Sequence, residues 1–285
     1  MFRREPNRVI AATFSAYGRH VTRIDDAEAL RRAGRWDDAL ELLESLLARD
    51  PEREERGLVL VALARTLNDR STFGDSPDDA RARTVLEELE DLARVAEDDS
   101  LLAAALDLRG RSLHARFLSD RGAGEPKGEL ELFERGLALR RADDSRGRAE
   151  SLFHVGLVHQ VVRGDGERSE PFFEESYRLA SEVGDDVVRS YAVRHLGWTR
   201  QERGDVEGAR AAFEESLRLR KRAGFLPGVG AAALAVADFE AEQGRPDTAR
   251  ELLAEARAVF EQVGMKRFLG FADEVERSLA TPPSE

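Results

Sequence analysis

The chain has 285 residues and no cysteine, only nine prolines, and three lysines among its basic side chains. Without cysteine it can form no disulfide, zinc–thiolate centre, iron–sulfur cluster or thiol nucleophile. No apolar run approaches the roughly 20 residues that a membrane-spanning helix needs. Near the N-terminus the apolar stretch from Val9 to Tyr17 is interrupted by Thr13 and Ser15 and preceded by Glu5 and Pro6, which is a poor signal peptide. The expected location is the cytoplasm. Basic residues are outnumbered, 44 against 56 acidic ones, for a net charge of −12. That balance argues against sequence-independent nucleic-acid binding, which draws its affinity from cations on phosphates, and against an anionic membrane surface. His-Glu-x-x-His, nucleophile-elbow and Gly-Lys-Ser/Thr signatures are all missing. No enzyme activity, cofactor or metal site is expected.

What is present is a folding chain, 41% hydrophobic and 35% charged, rich in the helix formers Ala, Leu, Glu and Arg. It repeats. Arg163-Gly164-Asp165 and Arg203-Gly204-Asp205 lie 40 residues apart, each followed by Phe-Glu-Glu-Ser beginning at Phe173 and Phe213. The same ruler carries Gly204 forward to Gly244 and Leu253, and Gly164 back to Gly124 and Phe133. An earlier unit runs from Gly34 through Ala39 and Leu43 to Pro51. Another centres on Pro77, Ala82 and Leu86 after a longer loop, Ser71 to Ser76, and a further insertion covers Asp120 to Lys127. Each unit reads as two helices. Val193, Leu196 and Gly197 form one face of a helix over 190–203, Gly204 ends it, and Asp205 caps the next helix, Val206 to Arg222. No stretch alternates as a strand would.

Leu196-Gly197, Ala209-x3-Phe213, Gly204 at the turn, and Ala39-x3-Leu43 closing at Pro51 together resemble tetratricopeptide repeats. The period of 40 exceeds the family's 34. Val193 and Arg200 stand where Trp and Tyr are usual, and several closing prolines are missing. The extra residues lengthen the helices, as in the long-repeat arrays found beside bacterial regulators and in kinesin light chains. The resemblance implies an all-α, right-handed solenoid of about six helix pairs over residues 22–263. Residues 1–21 then hold an extra N-terminal helix, 264–280 a capping helix carrying Phe268, Leu269, Ala272, Val275 and Leu279 on one stripe, and 281–285 a disordered tail.

Other signals have plain structural readings. The two Arg-Gly-Asp tripeptides fit inter-helix turns far better than integrin ligands. Gly228-x-Gly230-x-x-Ala233 imitates a dinucleotide fingerprint but lacks the strand that must precede it, and reads as a helix start after Pro227. Paired carboxylates such as Glu174-Glu175 are read as solvated helix faces. His114, His154 and His195 recur at spacings of 40 and 41, so they stack on one face of the array. They read as partly buried, locally hydrogen-bonded residues, with a polar ladder for an anion as the sharper alternative and a metal as the weakest. The family's carboxylate clamp needs Lys, Asn and Arg at set positions, and Asn7 and Asn68, the two asparagines, are not placed for it.

In the resembling family the side opposite the packing face lines a concave groove where ligands bind. In the fifth unit that side carries Tyr191, Arg194, Trp198, Gln201 and Glu202, and the same ruler adds Asp238 and Glu242 from the next. The strip predicts a cationic and aromatic part beside an acidic part, with Trp198 either an exposed anchor or buried in the stack. In the fourth unit the register slips by one residue between Gly156 and Gly164, which leaves its groove residues unassigned. The expected function is a non-enzymatic scaffold binding a peptide or protein segment. The alternative is a sensor of peptides or small molecules that acts through a separate output partner. A homo-oligomer is compatible with the pattern and not specified by it. A deep pocket of converging ionisable groups would point instead to an enzyme.

Overall fold

The computed structural model describes residues 23–74 and 79–280; the expected N-terminal helix before residue 21 and the tail 281–285 lie outside the described residues. The described chain is all helix and turn, with no strand. Helical residues 23–32 (α1) precede α2 (Trp36–Leu47), α3 (Arg53–Phe73), α4 (Asp79–Ala96), α5 (Asp99–Ser119), α6 (Glu129–Leu139) and α7 (Ser145–Leu157). Then come α8 (Gly166–Glu182), α9 (Asp186–Glu202), α10 (Val206–Arg222), α11 (Leu226–Glu242), α12 (Pro246–Val263) and α13 (Lys266–Ala280). Each helix packs mainly on its chain neighbours, and the pairs α7/α8, α9/α10 and α11/α12 pack most extensively. This is an α-solenoid.

Its second half keeps a stricter rhythm than the 40-residue repeat. Gly164, Gly184, Gly204, Gly224, Gly244 and Gly264 all have positive φ, one every 20 residues, so the helices from α7, with the short turn that extends it, to α12 all end by the same device. A left-handed residue releases the helix C-terminus, and glycine adopts it without steric penalty. The following aspartate restarts the chain: Asp165, Asp185 and Asp205 accept hydrogen bonds from the backbone N–H groups of Arg168, Val188 and Gly208. Both Arg-Gly-Asp tripeptides are such turns, and their arginines pair with Glu125 and Glu170. Because Asp185 supplies a cap, α9 starts four residues earlier than its apolar spacing implies.

Within a pair, a small residue on the first helix faces a phenylalanine on the second. A Cβ added to Gly110, Gly156 or Gly197 would lie 2.5, 2.7 or 2.8 Å from the ring of Phe133, Phe173 or Phe213, and the three rings are buried to 1% or less. Glycine lets the backbone sit directly on the ring. Gly197→Ala is therefore expected to cost about 1–3 kcal/mol by overpacking, read as a lower urea midpoint at unchanged slope.

Two local features depart from the simple pattern. The one-residue slip in the fourth unit is a π-helical turn, Val158–Val162, which absorbs an extra residue without breaking the helix. Ser71 to Phe73, expected in a loop, form the last turn of α3. The reason is Phe73: it is 7% exposed, and its ring meets Phe225 at 5.7 Å and Phe268 at 6.0 Å.

Those contacts join the two ends of the array. Trp36 and Phe73 share one apolar cluster with Phe225, Val229, Val259, Phe260 and Met265. Gly34 lies against Val263 and Pro227. On α13, Arg267 donates hydrogen bonds to the Thr72 carbonyl and to Ser119 Oγ. The solenoid curves until its first units meet its last, and α13 wedges the seam.

Candidate functional site: the central cavity

Closure turns the concave face into a cavity of about 1120 Å³. Its lining comes from α1, α3, α5, α7, α9, α11 and α13 and the short segments flanking them; among the described residues no even-numbered helix contributes. The first helix of each pair faces inward and the second forms the outer layer.

The wall carries eight arginines and six carboxylates, most of them neutralising one another. One position per repeat, on successive inner helices, reads Arg31, Asp69, Arg111, Glu150, Tyr191 and Ala231. The first four alternate in sign and form a continuous ladder. Arg31 bonds to Asp69 and, at 2.8 Å, to Glu28. Arg111 donates to Asp69 at 2.7 Å and reaches Glu150 at 4.0 Å, and Arg65 donates to Glu150 at 2.9 Å. Burial alone would raise the Glu28 and Glu150 carboxyls; Arg31 and Arg65 respectively overcome it and hold both at about 2. Glu174 stays exposed, whereas Asp69 is a buried rung of the wall.

The fifth unit breaks the ladder with Tyr191, and around it the charge is not balanced. Arg194 lines the cavity with its guanidinium 4.8 Å from the Trp198 ring. It makes no ion pair or hydrogen bond among the described residues, and its buried Nε has no partner. Burial, then the charge of Arg220, pushes it down to about 9. Arg220 is fully buried, donates to the Gly228 carbonyl and Ser190 Oγ, and lies 4.9 Å over the Tyr191 ring with no carboxylate beside it among the described residues.

The histidine ladder lies in the same wall. His114 bonds Glu129 at 2.7 Å, His195 bonds Gln160 at 2.6 Å, and His154 stacks on Phe133 at 4.8 Å. The described residues contain no metal-binding group of three or more ligands. Burial, with Arg111 adding, lowers His154 to about 3, and burial with Arg194 and Arg220 takes His195 well below its ordinary value. Both are neutral in the fold, whereas an unfolded chain protonates them near pH 6.5. Between those values the unfolded state binds more protons, so stability is full above pH 6.5 and falls as the pH drops. Glu28 and Glu150 add to the decline only below about pH 4.5, their unfolded range. Asp107, which burial raises to about 7, takes up a proton in the fold over the same range and offsets one of the two histidines; we expect a melting temperature that still drops between pH 6.5 and 4.5, and a shallower drop in His154→Gln.

The strip of the fifth unit is divided. Tyr191, Arg194, Trp198 and Glu202 line the central cavity. Gln201, Asp238 and Glu242 line a second cleft of about 450 Å³, which shares Trp198 and Glu202 with the first. Gln201 donates to Glu242 at 2.7 Å, and burial raises the Asp238 and Glu242 carboxyls. Trp198 is neither fully exposed nor sealed in the stack: one side faces the cavity, and the other packs on Phe213 and the His195 ring. Asn68 is turned inward, donating to the Leu108 carbonyl and accepting from Ser112.

Models of the tetratricopeptide repeat match residues 192–223, which hold Leu196, Gly197, Ala209 and Phe213, and residues 27–53. The chain contains tetratricopeptide repeats. No curated protein sequence matches it. Among solved structures, this repeat protein is similar to BtubC (BKLC) from P. vanneervenii, at 16% identity and TM-score 0.51 over 83% of this chain and 92% of that one. It is also similar to a Rap protein crystallised in complex with competence and sporulation factor, at 11% identity and TM-score 0.52 over 89% and 80% of the two chains. At such identities the likeness concerns the fold. Tetratricopeptide repeats are in general protein-interaction modules without catalytic activity, and in this one no described helix is long and apolar enough to cross a membrane.

Proposed function

We propose that the protein is a cytoplasmic scaffold that takes a peptide or protein segment into its central cavity, with Tyr191, Arg194, Trp198 and Glu202 as contact residues. Gln201, Asp238 and Glu242 extend the contact into the adjoining acidic cleft. The observation that carries this reading is the inner wall of the fifth unit, where a large aromatic and an unpaired arginine face a cavity big enough for several residues of a ligand. Trp and Arg are the side chains that most often anchor interfaces. The Rap protein of similar fold, crystallised with competence and sporulation factor, supports it as an analogy. Ionisable groups do converge here, as an enzyme would require. Along the ladder, however, they are tied to one another in ion pairs.

Trp198→Ala is expected to weaken a partner found by affinity purification by about 2 kcal/mol or more. Cross-links should then map the partner to the inner, odd-numbered helices. A partner that binds Trp198→Ala unchanged and cross-links only to the even-numbered helices would overturn the reading.

The seam favours the sensor as the second reading. Phe73, Phe268 and Arg267 hold the two ends together, so a ligand that alters curvature must act on those contacts. A screen of peptides and metabolites by melting temperature finds such a ligand, since one at a hundredfold excess over its Kd stabilises by about 2.7 kcal/mol; a change in the distance across the seam on binding marks the sensor, and an unchanged distance the scaffold.

A further inference from the structure

We propose that the Arg194 guanidinium is a subsite for a carboxylate of the ligand. This rests on the cavity being the binding site and adds the chemistry of what enters it.

The inner wall leaves one positive charge over. In a protein of net charge −12, the ladder arginines Arg31, Arg65 and Arg111 each have a carboxylate. Among the described residues Arg194 has none, and neither does Arg220 behind Tyr191. Buried charges are ordinarily paired, because removing a cation from water without a counter-charge is unfavourable. Two adjacent arginines without one make a positive site inside an acidic molecule. The Arg194 guanidinium carbon lies 4.8 Å over the Trp198 ring, and the residue lines the cavity, where its terminal N–H groups can donate to a ligand. A guanidinium edge matches the two oxygens of a carboxylate.

A phosphate fits less well. Only Arg194 of the two faces the cavity, since Arg220 is fully buried and contributes field without contact. One accessible fork suits a single negative charge. The neighbouring cleft with Asp238 and Glu242 repels the same group, so the ligand's carboxylate is directed to the Arg194 side of Trp198.

The test uses the full chain, immobilised, and a library of N-acetylated hexapeptides made in four sets: with or without Asp and Glu, each ending in a free acid or an amide. The wild type should retain carboxylate-bearing peptides. Arg194→Met, of similar volume and no charge, should lose about tenfold or more in affinity for them and keep its affinity for carboxylate-free ones. Arg194→Lys should fall between. Loss on amidation assigns the ligand's C-terminus, and loss when Asp and Glu are left out assigns a side chain. Retention of acidic peptides by Arg194→Met at the wild-type level overturns the inference. So does retention by the wild type with no preference for a carboxylate, an outcome that leaves the cavity reading standing.

Should no peptide be retained, the cavity reading fails and a second arm decides the subsite. Sodium benzoate, against sodium chloride at equal ionic strength, should raise the melting temperature of the wild type and not of Arg194→Met. Equal shifts overturn the subsite. Without ligand, Arg194→Met should melt at or above the wild-type temperature, because it removes a half-buried cation that has no carboxylate among the described residues; this also shows that the variant is folded.

Discussion

Asp69→Ala is expected to destabilise the array by about 3–5 kcal/mol, the range for breaking a buried ion pair from one side. Asp69 is 1% exposed and lies between two arginines, Arg31 on α1 and Arg111 on α5. Removing it leaves Arg31 with Glu28 alone and Arg111 with only the distant oxygen of Glu150. The loss comes mostly from the two stranded cations and only partly from the missing bonds. The second half of the experiment makes that distinction. In a triple variant, Arg31→Met, Asp69→Leu and Arg111→Met, Glu28 keeps Arg32 and Glu150 keeps Arg65, and most of the lost stability should return, because well-packed apolar side chains often replace a buried ionic cluster at little cost. Urea titration of the two variants beside the wild type measures both effects. If the triple variant is as unstable as Asp69→Ala, the ladder contributes through its bonds and the desolvation argument fails.

Phe73→Ala should cost a similar amount, about 3–5 kcal/mol, the usual penalty for deleting a buried phenylalanine. Its particular interest is where the cavity forms. Phe73 touches Phe225 and Phe268 and belongs to the cluster that joins α2 and α3 to α11, α12 and α13. Phe213, also buried, lies among α9, α10 and α11 instead. Both substitutions should lower the melting temperature. Only Phe73→Ala should also lengthen the distance between dyes placed on α2 and α12, measured by energy transfer under native conditions. An unchanged distance would show that the rest of the seam, Arg267 included, holds the ends together without this ring.

Much of this architecture is legible from the residues. The Gly197 and Phe213 pairing, the Gly204 stop and the Asp205 start are local, and each follows from chain geometry over a few positions. The register slip before Gly164 is visible as one residue too many, although only the structure shows it to be a π turn. The charge ladder is harder. Arg31, Asp69, Arg111 and Glu150 repeat at nearly the expected spacing. A charged residue on a helix normally faces water, however, and nothing local says that this face is enclosed. The slip also hides Glu150 from a fixed ruler. The same reason splits the fifth-unit strip: a ruler of 40 places Asp238 and Glu242 beside Trp198, but the rotation between successive helices turns them into a separate cleft. The seam is not legible at all. It depends on a small rotation per pair accumulated over the whole array, which no local pattern encodes.

That seam changes how the chain must come apart. In a linear solenoid each unit touches only its neighbours, so stability is close to a sum along a line and unfolding begins at whichever end is weaker. Here the Thr72 carbonyl and Arg267, 195 residues apart in sequence, are hydrogen-bonded, and neither end is a true end. A terminal pair cannot fray without giving up its partner across the seam, so the boundary condition of the array is periodic instead of open. Unfolding should therefore be more concerted than the repeat count suggests. Folding carries the opposite consequence: the last contact to form closes the longest loop in the chain, and its rate reports how closely the curvature of the preceding pairs already matches a full turn.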